Sequence, residues 1–230
     1  MTGVIITIDG PAGTGKSSVA HLLAGRLGLD FLDTGAMYRA AALIAIEQGI
    51  DPGDGKALAA AVHAERLHFD WVADPPAILL GDRDVSLPVR GQDVAGTVST
   101  VAAQPELRAV LVQQQRRIAE AHPRLVSEGR DQGSVVFPEA SVRFFLDADA
   151  DVRALRRVNQ LVEAGLPADR DRIARDIRER DRIDSTRSDG PLVHPTGAIV
   201  IDTGQLTREQ VVEELERLCR AHVPAARFDQ

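Results

Sequence analysis

Gly10-Pro11-Ala12-Gly13-Thr14-Gly15-Lys16-Ser17-Ser18 is the stretch of this chain best equipped for chemistry. Gly10, Gly15, Lys16 and Ser17 keep the spacing G-x-x-x-x-G-K-[ST] of a phosphate-binding loop. Glycines let the backbone curl so that successive N–H groups face a polyphosphate. Lys16 can place a point charge on the β- and γ-phosphates, and Ser17 can offer its hydroxyl to Mg²⁺. Composition singles out the same lysine. Of 27 basic residues only Lys16 and Lys56 are lysine, and the rest are arginine. A compact ammonium on a thin stem suits a position where a point charge must reach into a narrow loop. The stretch is read as a site for a nucleoside triphosphate, with all nine residues touching it.

The loop needs a strand before it and a helix after it. Val4-Ile5-Ile6-Thr7-Ile8 is a β-branched run of buried-strand type ending at Asp9, and Val19, Leu22, Leu23 and Leu27 recur at helical spacing up to Gly28. Further strands are expected at 31–33, 125–127, 142–146 and 199–201, alternating with helices at 34–48, 151–164, 171–184 and 207–219, the last capped by Thr207. A long helical stretch around Val98 to Ile118 is interrupted at Pro105. Strands separated by helices imply right-handed crossovers and a parallel sheet, hence an α/β class. Residues 51–99 break that rhythm. A short helix (56–65), strand-like pieces at 67–72, 77–80 and 83–86, and turns at Asp74-Pro75-Pro76 and Gly81-Asp82 read as a small antiparallel unit inserted between core segments 1–50 and 100–230. Residues 222–230 read as a loose tail.

In open parallel sheets ligands sit beyond the carboxyl ends of the strands. Asp9, Asp33-Thr34, Glu128 through Asp131 and Asp147 end strands here, with Arg39 and Arg130 close behind. A guanidinium fork can grip a phosphate while a nearby Asp accepts from a base amino group or a sugar hydroxyl. Ten arginines lie between Arg153 and Arg187, interleaved with acids. Most suit solvated, salt-bridged helices. Arg153, Arg157, Arg180 and Arg187 are placed to close over phosphates if residues 155–187 form a lid, where they would stabilise charge on a transferring phosphoryl group and exclude water.

The bulk numbers fit a globular protein with one good core, at 230 residues, 44% hydrophobic and 27% charged. A net charge of −7 argues against general nucleic-acid binding. No apolar run reaches membrane-spanning length, and no secretory leader is evident. Cys219, the single cysteine, excludes an internal disulfide and reads as buried helix packing. A cytoplasmic monomer is expected.

Several of these segments together resemble bacterial cytidylate kinases, P-loop nucleoside monophosphate kinases. They are Ile6-Thr7-Ile8-Asp9-Gly10-Pro11, Leu32-Asp33-Thr34-Gly35-Ala36-Met37-Tyr38-Arg39, Glu128-Gly129-Arg130-Asp131 with Val135-Val136-Phe137-Pro138, and Glu179-Arg180-Asp181 with Asp184 and Arg187. The resemblance implies transfer of the ATP γ-phosphoryl group to CMP or dCMP, giving CDP or dCDP and ADP, with Mg²⁺. It implies that Asp131, Ser99 and Arg108 read the cytosine and that Arg180 and Asp184 bind the sugar. Arg39, Arg130 and Arg187 would hold the acceptor phosphate, and Thr34 and Tyr38 would line the acceptor nucleotide. Lys16, Arg130, Arg180, Arg187, Arg153 and Arg157 form the expected catalytic set. The 51–99 insertion corresponds to the family's nucleotide-monophosphate-binding domain. Thr34 stands where serine is common, and the roles of Gln132 and Ser134, which also depart, stay open.

Three other readings compete, one of them a P-loop scaffold without chemistry, which an absence of turnover in the parent protein would support. Another P-loop small-molecule kinase would act on UMP, AMP or a shikimate-type acceptor. A GTP-hydrolysing switch would need an N-K-x-D element, and no such string occurs.

Overall fold

The structure, a computed structural model, describes residues 3–163 and 165–228. Met1, Thr2, Ala164, Asp229 and Gln230 lie outside the described residues, and with them the expected helix end at Ala164 and the last two residues of the expected tail. In chain order the first half carries β1 (Val4–Asp9), α1 (Lys16–Leu27), β2 (Asp30–Asp33), α2 (Thr34–Gln48), α3 (Gly55–Ala64), β3 (Leu67–Asp70), β4 (Ala77–Leu80) and β5 (Arg83–Asp84). Then follow α4 (Gln92–Ala102), α5 (Pro105–Ala121), β6 (Arg124–Gly129), β7 (Val142–Asp147), α6 (Ala150–Glu163), α7 (Arg170–Thr186), β8 (Ile199–Asp202) and α8 (Arg208–His222).

Five strands form one sheet in the order β2-β6-β1-β7-β8, and three form another in the order β3-β4-β5. β1 pairs in parallel with β6 and β7, and β7 with β8. Residues Ile6 and Ile8 on one face of β1 and Thr7 and Asp9 on the other are all inaccessible to solvent. Burial on both faces explains why β1 reads as a near-continuous apolar run instead of an alternating one. Asp9 lies level with Gly129 on one side and Phe145 on the other. That register brings the polar ends of β1, β6 and β7 to one edge of the sheet.

The chain divides into two compact units, one of residues 1–30 with 123–230 and one of residues 31–122. The expected insertion, 51–99, is narrower than the second unit. The reason is packing: α2 lies against α3, α4 and β4, and α5 lies against α3, so the helices flanking the small sheet share its core. Within that unit β3 alternates, with Leu67 and Phe69 buried and His68 and Asp70 exposed. Strands β3 and β5 stop two residues earlier than their sequences suggest. Asp70 and Asp84 each accept a backbone N–H two residues on, from Val72 and Ser86 respectively. Such local side-chain turns compete with ladder pairing. Pro105 opens α5, where its missing N–H has no intrahelical partner to lose.

In the other unit Gly28 ends α1 at φ 62°, and Thr207 and Gln210 close a reciprocal capping box on α8. The tail differs from the expectation. Residues Ala225–Arg227 form a short 3₁₀ turn, Phe228 is buried, and Arg124 Nη2 donates to the Phe228 carbonyl at 2.8 Å. No helix of the described residues is long and apolar enough to cross a membrane.

Candidate active site

The phosphate loop turns on glycines held at φ 146° (Gly10), 83° (Gly13) and 88° (Gly15). A Cβ on Gly10 would stand 2.0 Å from the Leu146 carbonyl oxygen, so the loop leaves the sheet where only glycine fits. α1 begins at Lys16 with no side-chain cap on its first N–H groups. Uncapped amides at a helix start favour an anion. Lys16 Nζ donates to the Pro11 carbonyl at 2.7 Å across the loop. Burial lowers this ammonium to about 7, helped by the Arg130 charge, with Glu128 acting the other way. Thr14 and Ser18 spend their hydroxyls on loop carbonyls, Thr14 on Pro11 at 3.2 Å and Ser18 on Gly15 at 2.9 Å.

Ser17 Oγ donates to Glu128 Oε1 at 2.7 Å, which joins the loop to the end of β6. Two hard oxygens side by side suit Mg²⁺, which keeps waters and substrate phosphates as its remaining ligands. No group of three or more His, Cys, Asp or Glu that could hold a metal occurs among the described residues. The donor set therefore fits a cation that arrives with phosphates.

Beyond Glu128 the chain turns sharply through Arg130 and Asp131 into a π-helical turn, Gln132–Val136. Arg130 Nε donates to Asp184 Oδ2 on α7 at 2.8 Å. Burial alone would lower the Arg130 guanidinium, but the Asp184 charge and hydrogen bond, with the Glu128 and Asp181 charges, together hold the group above its ordinary value. Burial likewise works against the Asp184 carboxylate, and Arg130 and Arg180 together hold it below the usual range. Arg187 Nη1 approaches Asp184 Oδ1 at 4.0 Å, while its Nε donates to the Gly190 carbonyl at 2.7 Å. Arg130, Arg180, Asp184 and Arg187 thus form one cluster, and α7 supplies all of it except Arg130 and the C-cap Arg187.

Arg153 and Arg157 do not join that cluster. Arg153 is buried and fully engaged: Nε donates to Ala148 O at 2.9 Å, Nη1 to Ala12 O at 2.9 Å, and Nη1 and Nη2 to Asp181 at 3.1 and 2.6 Å. Arg157 faces solvent, with Gln160 Oε1 at 3.4 Å. An open cleft of about 300 Å³ passes beside Arg153 and Asp181, from Pro11 to His194.

The 31–122 unit carries its own polar cluster. Asp33 caps α2 by accepting from the Ala36 amide at 2.7 Å, and its second oxygen takes Arg39 Nη2 at 2.9 Å. Arg39 Nε is buried with no hydrogen-bond partner, a donor that fits an anionic oxygen. Arg108 is 1% exposed; Nη1 lies 3.3 Å from the Tyr38 hydroxyl and 3.4 Å from the Ala102 carbonyl, and the guanidinium carbon sits 5.7 Å from the Tyr38 ring centroid. Thr34 is buried at the first turn of α2, and Ser99 is half-buried on α4.

The family profile described as Cytidylate kinase matches residues 6–221, a span that holds every one of these groups. The chain belongs to the cytidylate kinase family. A cytidylate kinase of Mycolicibacterium paratuberculosis is 45% identical over 224 residues, 97% of this chain and 98% of the relative. One of Corynebacterium glutamicum is 44% identical over 222 residues, 95% of each chain. Among solved structures, an uncharacterized protein from Eubacterium ventriosum aligns with a TM-score of 0.50 at 14% identity, over 95% of this chain and 99% of that one, which bears on the fold alone. Within this cytidylate kinase fold, two side chains join the site in roles that sequence reasoning did not give them. Glu128 and Asp9 were visible as acidic strand ends, but not as partners of Ser17 and of the turn after Asp131. Arg156, by contrast, braces the fold: it donates to Thr203 O and lies 3.2 Å from Thr203 Oγ1, tying α6 to the loop after β8.

Proposed function

We propose that this protein transfers the γ-phosphoryl group of ATP to CMP or dCMP. The observation that carries the reading is the meeting of the phosphate loop with the end of β6, where Ser17 touches Glu128 and Arg130 touches Asp184. Family membership over residues 6–221 supports the choice of acceptor.

Residues 10–18 bind the triphosphate of ATP through loop amides, the uncapped start of α1 and Lys16. Ser17, with Glu128 behind it, would hold Mg²⁺, which would neutralise charge on the phosphate oxygens. Arg130 and Arg187 hold the acceptor phosphate in the reading taken from the family resemblance, and Arg180 and Asp184 hold its sugar. In the same family reading, residue by residue, Arg39 is a phosphate contact, Thr34 and Tyr38 are acceptor contacts, and Ser99, Arg108 and Asp131 are base contacts. The 51–99 segment acts as the acceptor-binding insertion, and α6 with α7 as the lid. As the new bond forms from an acceptor phosphate oxygen to the γ-phosphorus, the bond from that phosphorus to the bridging oxygen breaks and ADP leaves. The acceptor phosphate is already an anionic nucleophile, so no side chain needs to remove a proton. Alignment and placed cations carry the catalysis. Arg153 serves by holding the loop to α7, and Arg157 stands at the lid surface where closure would bring it to phosphate.

The test is ADP release with ATP, Mg²⁺ and a panel of CMP, dCMP, UMP, AMP and shikimate. The expected result is turnover with CMP and dCMP well above the rest, abolished by Lys16→Ala with the fold retained. Turnover on another acceptor overturns the base assignment and leaves phosphoryl transfer standing.

A further inference from the structure

Asp9 has no solvent exposure, yet both of its carboxylate oxygens are occupied by the same turn. Gln132 N–H donates to Oδ1 and Gly133 N–H to Oδ2, each at 2.7 Å. A buried carboxylate is expensive unless its lone pairs are filled, and here two main-chain amides fill them. The pattern demands an acceptor-only side chain. Asparagine would present one oxygen and one N–H₂ to two N–H donors, so one amide would face a donor.

The turn is also pressed directly onto the sheet. A Cβ on Gly133 would meet Thr7 Oγ1 at 2.9 Å, Arg143 Cγ at 3.1 Å and Pro195 Cγ at 3.1 Å. The residue immediately before it adds a second arm. The Gln132 side chain is inaccessible to solvent; its Oε1 accepts from Ser127 Oγ at 2.8 Å, and its Nε2 reaches Asp131 Oδ1 at 3.5 Å. Asp131 is thereby flanked by a peptide unit that Asp9 pins and by an amide that Ser127 orients. A carboxylate with 2% exposure that is to meet a base amino group must point one way only.

We propose that Asp9 and Gln132 are positioning residues for acceptor recognition, fixing the Asp131 carboxylate through the main chain and the side chain respectively. This rests on the reading of Asp131 as a base-contacting residue. Asp9 directly precedes the phosphate loop, so the strand that ends in the donor site also holds the turn that selects the acceptor. Gln132, whose role the family resemblance left open, thereby gains one.

The experiment measures kcat/KM for CMP and for UMP, with the KM of ATP, at pH 8 in the parent, Asp9→Asn, Asp131→Ala and the double variant. Loss of one charge-assisted hydrogen bond is expected to lower the CMP-to-UMP ratio about tenfold in Asp9→Asn, with the KM of ATP within about twofold. In the Asp131→Ala background the same change should leave the ratio where it is, because the group being positioned is gone. A merely structural role would reduce both acceptors together and keep the ratio, and that result overturns the proposal. If Asp131→Ala itself leaves the ratio unchanged, the base-contact reading fails instead. Should Asp9→Asn not fold, Gln132→Met keeps both amide bonds and removes only the side-chain arm. A lowered ratio then supports the proposal, and an unchanged one overturns it.

Discussion

Arg153 and Asp181 meet in a two-pronged pair at 2.6 and 3.1 Å, and the guanidinium that makes it also holds the Ala12 carbonyl of the phosphate loop. One side chain on α6 therefore ties a loop that binds phosphate to the helix that carries Arg180 and Asp184. The Arg153 side chain is 5% exposed and that of Asp181 25%. Removing the arginine strands a partly buried carboxylate and two carbonyls. Arg153→Ala is expected to destabilise the fold by about 2 kcal/mol, seen as a fall of about 6 °C in Tm. ATP affinity should weaken more than CMP affinity, and Asp181→Asn should reproduce part of both effects. Calorimetry and separate KM determinations for the two substrates check this.

Glu128 stands behind Ser17 and not in its place. Glu128→Gln keeps a carbonyl oxygen near the hydroxyl and removes the charge. The Mg²⁺ concentration giving half-maximal rate should rise about tenfold, as is typical when an outer partner of a metal ligand is altered. Rate at saturating Mg²⁺ should fall much less. A magnesium titration at fixed ATP reads both, and an unshifted midpoint would remove Glu128 from the cation site.

Asp9 gives a pH signature. Burial pushes its carboxyl from 3.8 up to about 7, with the Asp131 charge in the same direction and the Gln132 and Gly133 amides and Lys16 opposing. A carboxyl raised on folding binds more protons in the native than in the unfolded protein between those values. Its contribution to stability is therefore greatest below about pH 4 and is lost as pH rises to about 7. Asp9→Asn cannot titrate. The difference in unfolding free energy between parent and variant should shift in favour of the variant as pH climbs from 4 to 7, and denaturant melts across that range test it. A constant difference would mean that Asp9 keeps its ordinary pKa.

Arg39 offers a clean separation of charge from shape. Lysine can keep the ion pair to Asp33 but cannot supply the second, buried N–H that Arg39 Nε holds without a hydrogen-bond partner. Arg39→Lys is expected to raise the KM for CMP about tenfold while Tm and the KM of ATP stay near those of the parent. An equal rise in both KM values would place Arg39 outside the acceptor site.

The loop and its flanking elements were legible because spacing alone constrains them: only one arrangement of Gly10, Gly15, Lys16 and Ser17 presents amides, ammonium and hydroxyl together. Strand ends were legible for the same local reason. What could not be read is pairing that depends on register. That Asp9 lies level with Gly129, and so beneath the amides of Gln132 and Gly133, follows from how β1 and β6 align and from nothing within either segment. Arg153 shows the limit from the other side. Its neighbours Asp151, Arg156 and Arg157 are those of a solvated helix, yet Arg153 is buried and paired with Asp181 of α7. The compact unit reaches past the expected 51–99 insertion because α2 is buried nearly all round, and sequence does not say which partner each of its faces takes.

Cys219 is the only sulfhydryl of the chain, wholly enclosed on the inner face of α8, and burial pushes its thiol up to about 12. At neutral pH almost none of it is nucleophilic, and no reagent can reach it while α8 lies on α1. A fluorescent maleimide would therefore react only during moments when that helix lifts away. The protein carries its own stopwatch for opening events, readable without adding or removing a single residue, and nucleotide binding that quiets those events would slow the dye.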